Sequence, residues 1–323
     1  MKSLHIQNLQ DYKIGHQQNK DALTGCTVVI AEEGAVTGVD VRGGAPGTRE
    51  TDLLASENTV SKAHAIFLSG GSAYGLDVGG GVMQYLEEKG IGFDTKAAKV
   101  PIVPGAILYD LGIGNSAIRP DKKMGYQAAA NAYQTVPTFG NVGAGTGASV
   151  GKVLGEAFSM KSGIGYAGYQ IGPLQVAAIV AVNAVGDIID PTTGKQIAGV
   201  YDRNKQQLLH TSDILLSQLE QKFDDDGYAG NTTIGTIITN AKLTKAQANK
   251  IASIAHDGLA KTTSPSHTFM DGDTLFAMAS GKVEIDPNIV AVLATSVVAE
   301  AIVNGVKSAE SVADFPAFQD MNK

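Results

Sequence analysis

The chain has no tryptophan and a single cysteine among its 323 residues. One cysteine, Cys26, cannot close an intrachain disulfide, so nothing supports a secreted, disulfide-stapled scaffold. It stands in the strand-like run Gly25-Cys26-Thr27-Val28-Val29-Ile30 and reads as a small buried hydrophobe rather than a reactive thiol. Charged residues make up only 18 % of the chain, below the usual quarter. The net charge of -7 comes without a long run of one sign. No Lys/Arg cluster exists to follow a phosphate backbone, so no nucleic-acid partner is expected. The N-terminal stretch lacks the apolar core of a signal peptide. The longest uncharged stretch, Ser162 to Gly186, is broken by glycines, a proline, two glutamines and Asn183, unlike a membrane span. The expected setting is the cytoplasm, with no membrane partner. The six histidines (His5, His16, His64, His210, His256, His267) show no ligand spacing, so no metal is expected.

Glycine is abundant instead, at 39 residues, and apolar residues reach 43 %. Glycine has no three-residue period, which excludes collagen, and the hydrophobicity is too high for a disordered chain. Low charge with much Gly, Ala, Val and Ile implies a large buried fraction, in layered sheets and helices or in an oligomer.

No internal repeat is evident. Residues 25–31 and 36–41 read as two strands around a turn at Glu33-Gly34, and His64 to Leu68 as a third. A helical pattern runs from about Ala73 to Lys89. Ala106 to Tyr109 is a strand candidate, and 122–133 a helix. Leu174 to Asn183 reads as a central strand, with Gly186 to Ile189 as its hairpin partner. The polar stretch 190–230, with an amphipathic helix at about 211–222, reads as an exposed connector. Thr232 to Thr239 alternates β-branched residues with glycine and reads as a strand. Helices are expected at about 244–260, 273–280 and 287–306, the last with Ile289, Leu293, Val297, Ala301 and Ile302 on one face. The pattern predicts an α/β chain, an αββα-type sandwich of mixed or antiparallel sheets flanked by helices; its length allows one large domain or two tightly joined ones, and 1–323 is read as a single domain.

Gly143-Ala144-Gly145-Thr146-Gly147-Ala148 invites a phosphate-loop reading and fails it. The Gly-Lys-Ser/Thr ending is absent, and no acidic residue follows at the distance a dinucleotide needs. Close-packed backbone is the simpler account, and no cofactor is expected. The informative segment is Gly230-Asn231-Thr232-Thr233-Ile234. A polar connector ends at Gly-Asn, a hydroxyl residue opens a strand, and Asp271-Gly272-Asp273-Thr274 follows about 40 residues on. That arrangement suits a nucleophile that becomes a chain N-terminus.

The sequence resembles the L-aminopeptidase/D-esterase family of self-cleaving hydrolases, which includes β-peptidyl aminopeptidases and nylon-6 oligomer hydrolases. The likeness covers nearly the whole chain. It is carried by Gly38 to Asp52, Leu68 to Leu76, Tyr109-Asp110-Leu111, Gly143 to Lys152, the strand through Asn183, and Asn231-Thr232-Thr233-Ile234. Thr232 stands where many members carry Ser, as in the nylon-oligomer branch.

The resemblance implies cleavage between Asn231 and Thr232, giving chains 1–231 and 232–323. A threonine hydroxyl needs an adjacent base at neutral pH, and a freed α-amino group, titrating near 7.7–8.0, is suited to be one. By resemblance, Tyr109, Lys152 and Asn183 line the site around Thr232. Asn183 and Tyr109 are expected to donate to the oxyanion. Lys152 is expected to orient the hydroxyl or lower the amine's pKa. Asp271 and Asp273 are expected near the Thr232 amine, with helix capping as the competing account. Other members can carry Ser and Glu there, and the Asp pair again points to the nylon-oligomer branch. The Arg42 to Asp52 segment is expected to be mainly structural, its glycines and Pro46 fixing a turn. The expected function is an autoprocessing N-terminal threonine amide hydrolase acting on short peptides or linear amides, 6-aminohexanoate oligomers among them. A homo-oligomer of four or more subunits is expected. The alternative is a structural or binding homologue that never matures.

Overall fold

A computed structural model describes residues 1–217 and 230–321. The strands that matter here are β1 (Lys13–Asn19), β2 (Thr24–Val41), β3 (Lys62–Ser69), β4 (Gly105–Ile107), β5 (Ile164–Ile171), β6 (Leu174–Asn183), β7 (Asp187–Asp190), β8 (Thr232–Ala241) and β9 (Thr274–Val283). The helices are α1 (Val78–Glu88), α2 (Lys122–Asn131), α3 (Thr211–Ser217), α4 (Lys245–Ala260) and α5 (Pro287–Lys307).

All but β7 join one ten-stranded sheet, with the short strands Lys2–Ser3 and Thr48–Arg49 at its ends. The order along it is Lys2–Ser3, β5, β6, β8, β9, β2, β3, β4, Thr48–Arg49, and β1 also pairs with β2. β8 and β9 are parallel, as are β3 and β4; the other pairs are antiparallel.

Side-chain alternation divides the interior into three apolar layers. Val176, Ala178, Val180 and Val182 of β6 face α4 and α5. Ala177, Ile179 and Ala181 of the same strand face the opposite half of the sheet, where they meet Val29, Ile66 and Leu68. Cys26, Val28 and Ile30 of β2 turn outward onto α1 and α2. The layers therefore run helix, sheet, sheet, helix, as the αββα expectation required, within one continuous ladder that doubles back on itself.

Several elements differ from the sequence reading. The two strands at 25–31 and 36–41 are one 18-residue strand, β2. Glu33 and Gly34 form an irregularity inside it, with a register shift between Ile30 and Ala35 and Gly34 at φ +68°. The helix expected over 273–280 is instead the strand β9, Thr274–Val283, with Asp273 just before it. Leu275 and Ala277 are buried on one face of it and Phe276 and Met278 on the other, so no periodicity separates strand from helix. Asp187 to Asp190 does not pair with β6, whose two edges are taken by β5 and β8. It pairs instead with Lys195–Ala198 and Thr263–Ser264. The helix expected over 73–89 begins as a 3-10 turn, Ser72–Asp77, before α1.

Within the 190–230 segment, Ile197, Ala198, Val200 and Thr211 are buried. α3 covers the start of the amphipathic helix expected at 211–222; the rest of that helix lies outside the described residues. α5 has the length and apolarity to cross a membrane, but 67 % of its most apolar stretch is buried. Leu293, Val297, Ala301 and Ile302 pack on the sheet, while Ile289 is 40 % exposed.

The glycines at 145 and 147 pack closest to other backbone, and Gly143 packs closest to the side chains of Thr27 and His16. A Cβ would lie 2.2 Å from Thr27 Oγ1 at Gly143, from Ile164 N at Gly145 and from Leu23 O at Gly147.

Candidate active site

β8 is buried along all ten residues and lies between β6 and β9. Its β-branched sequence suits a strand packed on both faces. Thr232, its first residue, pairs in register with Asn183, the last residue of β6. Asn231 bridges in parallel to Asp271, in the turn that leads into β9. The start of one central strand is thus held between the end of a second and the approach to a third.

Hydrogen-bond donors converge on the Asn231–Thr232 peptide. The Gly272 N–H donates to the Asn231 carbonyl oxygen at 2.8 Å. The Thr232 hydroxyl donates to the same oxygen. The Asn231 N–H is taken by the Met270 carbonyl at 3.2 Å. A Cβ on Gly272 would lie 2.8 Å from both Thr232 Oγ1 and the Ala45 carbonyl, so the hydroxyl occupies space that any other residue's side chain would need.

Asn183 is fixed on three sides. Its Oδ1 accepts from Lys152 Nζ at 2.7 Å and from the Ser149 N–H at 3.0 Å, and its Nδ2 donates to the Tyr109 carbonyl at 2.9 Å. Lys152 Nζ also reaches the Asn183 carbonyl at 3.1 Å. Burial pushes the Lys152 amine down to about 7, against the pull of Asp271, Asp110 and Glu156. Tyr109 meets Asn183 through its backbone. Its side chain packs against Gly230, where a Cβ would lie 2.6 Å from Tyr109 Cβ and Cγ.

The two aspartates are not helix caps, because no helix follows them. Asp271 Oδ2 accepts from the Thr268 hydroxyl at 2.6 Å and the Thr268 N–H at 3.0 Å, and its Oδ1 from the Val185 N–H at 3.4 Å. Burial, reinforced by the neighbouring Asp273 charge, raises its pKa. Asp273 Oδ1 accepts the N–H of Thr233, next to the nucleophile candidate, at 2.7 Å. The Arg42 to Asp52 segment walls the site as well as turning. The Arg42 and Ala45 N–H groups bond the Asp273 and Asp271 carbonyls at 2.9 and 2.8 Å.

All six expected residues therefore gather around the Asn231–Thr232 bond, Tyr109 through its main chain and through contact with Gly230. The sequence reading did not single out four others. Gly272 supplies a main-chain donor, which no side-chain motif announces. His267 holds Asp273, and only its spacing of six residues could have suggested it. Asp110 is raised to about 6 by burial and accepts from Thr24 Oγ1 and the Gly71 N–H, both at 2.7 Å. Lys161 is buried, lowered to about 7 by desolvation, and donates to the carbonyls of Gly145, Ala148 and Ser162. Among the described residues, no group of three or more His, Cys, Asp or Glu side chains could hold a metal.

The profile of peptidase family S58 matches residues 5–317. An uncharacterized aminopeptidase of Mycobacterium tuberculosis is 38 % identical over 98 % of this chain and 97 % of its own. A 6-aminohexanoate-oligomer endohydrolase of Paenarthrobacter ureafaciens is 34 % identical over 84 % of this chain and 74 % of its own. Among solved structures, an L-aminopeptidase D-Ala-esterase/amidase of Ochrobactrum anthropi, described as a variant of the Ntn hydrolase fold, superposes with a TM-score of 0.69. It is 15 % identical over 97 % of this chain and 89 % of that one, a likeness of fold. A Burkholderia β-aminopeptidase superposes with a TM-score of 0.64 at 20 % identity over 97 % and 92 % of the two chains. The matched span takes in β8, the Asp271–Asp273 turn and the Lys152–Asn183 pair, and the chain belongs to peptidase family S58.

Proposed function

We propose that this peptidase matures by cutting its own Asn231–Thr232 bond and then uses Thr232 as an N-terminal nucleophile against amides. One observation carries the reading: the Thr232 hydroxyl and the Gly272 N–H both point at the Asn231 carbonyl oxygen. A hydroxyl beside a carbonyl already polarised by an amide donor is close to attack geometry. The Thr232 oxygen adds to the Asn231 carbonyl carbon, the C–N bond breaks, and the nitrogen leaves as an amine. Water then hydrolyses the ester, leaving Asn231 with a carboxylate and Thr232 with both hydroxyl and free amine.

In turnover the amine takes the hydroxyl proton directly or through one water, and the oxygen attacks the substrate carbonyl. The proton passes to the leaving amine, and water releases the acyl group. Asn183, held by Lys152, Ser149 and Tyr109, keeps one Nδ2 hydrogen for the developing oxyanion. Lys152, with its amine near 7, presents a charge that responds to the site's own ionisation. Asp271 and Asp273 hold the turn that faces the new N-terminus.

The substrates of this reading are short peptides and linear amides, 6-aminohexanoate oligomers included, because the similar endohydrolase carries that name. The matured chains 1–231 and 232–323 stay together through the β6–β8 and β2–β9 pairings as one domain. A cytoplasmic homo-oligomer of four or more subunits belongs to the same reading. Phe269, 94 % exposed, and Val292, 68 % exposed, are apolar surface that such an assembly covers.

Intact mass spectrometry tests the proposal. Prorated from 33.4 kDa, the purified protein gives chains of about 24 and about 10 kDa, and Thr232→Ala stays whole. Assays on 6-aminohexanoate oligomers and peptide p-nitroanilides in parallel then sort the substrate. An intact wild type that still hydrolyses amides refutes the mechanism. An intact, inactive wild type points to the non-maturing homologue.

A further inference from the structure

Asp273 is buried, with its side chain 1 % exposed, and its two oxygens are used differently. Oδ1 receives the Thr233 N–H. Oδ2 receives two donors from one residue: the His267 backbone N–H at 3.0 Å and the His267 ring Nδ1 at 2.8 Å. A carboxylate only accepts, so Nδ1 carries the proton. His267 fixes the plane of the carboxylate that grips the strand of the nucleophile candidate.

The backbone and the ring of His267 are both constrained. Its φ is +57°, in the left-handed region that non-glycine residues rarely adopt and that surrounding structure must enforce. That conformation turns both its main-chain N–H and its ring toward the same oxygen. The ring meets His256 edge to face, with centroids 4.8 Å apart and planes at 73°. His256 is fully buried on α4, and desolvation lowers its pKa to about 4, so the ring is neutral at neutral pH. Its Nε2 lies 3.1 Å from the Asp40 carbonyl on β2, which makes that nitrogen the donor. Contacts thus run from β2 through α4 and the 267–270 loop to the approach to β9, ending on the amide beside Thr232.

We propose that His267 is a positioning residue for the reaction, one that holds Asp273 through its Nδ1–H and so sets the geometry of Thr232. The proposal rests on the reading of Thr232 as nucleophile. It concerns where the donor stands, not the bulk or charge of the ring, and three substitutions separate these. Asn places an amide N–H where Nδ1 stood and tolerates a positive φ. Gln keeps the bulk but puts its amide near the position of Nε2. Gly adopts the positive φ without strain and has no side-chain donor.

The expected result, on the full-length protein, is that His267→Gly and His267→Gln lower kcat by about ten- to a hundredfold. That is the range for losing one hydrogen bond to a charged group. KM changes little, and an uncut fraction persists on intact mass. His267→Asn restores kcat to within about threefold of wild type. Equal kcat for the Asn and Gln variants overturns the proposal, as does wild-type kcat for His267→Gly. Thr232→Ala, assayed alongside, keeps the two readings apart. If it retains activity, the nucleophile assignment fails; if it is dead while His267→Gly is unimpaired, only the role of His267 fails.

Discussion

Asn183 stands directly across the β6–β8 ladder from Thr232, and its side-chain oxygen lies 2.7 Å from the buried amine of Lys152. Two residues 49 positions apart in the chain are set side by side by strand register, and a lysine from a third segment is drawn to the pair. Register places them securely because β6 and β8 are buried on both faces, so a one-residue slip would turn every side chain onto the wrong layer.

Removing that amide leaves polar groups unpaired. Asn183→Ala strands the Ser149 N–H and the Tyr109 carbonyl inside the protein and leaves the Lys152 amine only the main-chain carbonyl of residue 183. We expect a loss of about 2–4 kcal/mol, from unsatisfied buried polar groups, together with loss of self-cleavage. Urea denaturation and intact mass measure the two. A stable variant that still cuts itself contradicts the role given to Asn183.

Gly272→Ala keeps the N–H that faces Asn231 but brings a methyl to 2.8 Å from Thr232 Oγ1 and from the Ala45 carbonyl. The hydroxyl must move, and self-cleavage is expected to slow by at least about tenfold, as for other small misplacements of a reacting group. A time course of chain separation after rapid purification reads the rate. Cleavage as fast as wild type removes the crowding argument.

Gly43→Ala tests the wall opposite. Its Cβ would lie 2.2 Å from the Asp271 carbonyl oxygen and 2.4 Å from the Asp273 N, both main-chain atoms that cannot step aside cheaply. The 42–45 turn must lift off the aspartate turn. We expect a cost of about 1–3 kcal/mol, typical of overpacking, and an activity loss larger than that stability loss explains. Thermal melting beside kcat separates them; unchanged activity shows that the segment only turns the chain.

Lys152 and Lys161 make stability depend on pH. Burial lowers both amines to about 7, whereas in the unfolded chain they return to about 10.4. Between those values the unfolded chain binds more protons, so stability rises with pH across that window and is lost as pH falls through about 7. Asp110, raised to about 6, acts in the opposite sense and below this range, its stabilisation fading as pH rises through about 6. Each lysine contributes at most about 1.4 kcal/mol per pH unit. Melting curves from pH 7 to about pH 9 are expected to rise for wild type and to flatten for Lys161→Met. Equal slopes in the two proteins rule out a titrating Lys161.

The sequence alone carried the αββα layering and the β8 strand, and its family resemblance supplied the proposed Asn231–Thr232 junction. The first two follow from β-branched runs and glycine placement, the third from a motif contiguous in the chain. Local pattern could not decide 273–280, which is apolar on both faces because β9 lies between two packed layers, so its periodicity is silent. Nor could it decide which strand accepts Asp187 to Asp190, since that depends on whether β6 has a free edge. Tertiary structure alone brought Lys152 to Asn183, His267 to Asp273 and the Gly272 N–H to the Asn231 carbonyl. Each of these contacts is a hydrogen bond of about 3 Å between segments whose approach is fixed by register and layer packing. The residues around Asn231–Thr232 suggest where the proposed cut falls; what polarises that bond and steadies the proposed nucleophile is decided by which strands lie side by side.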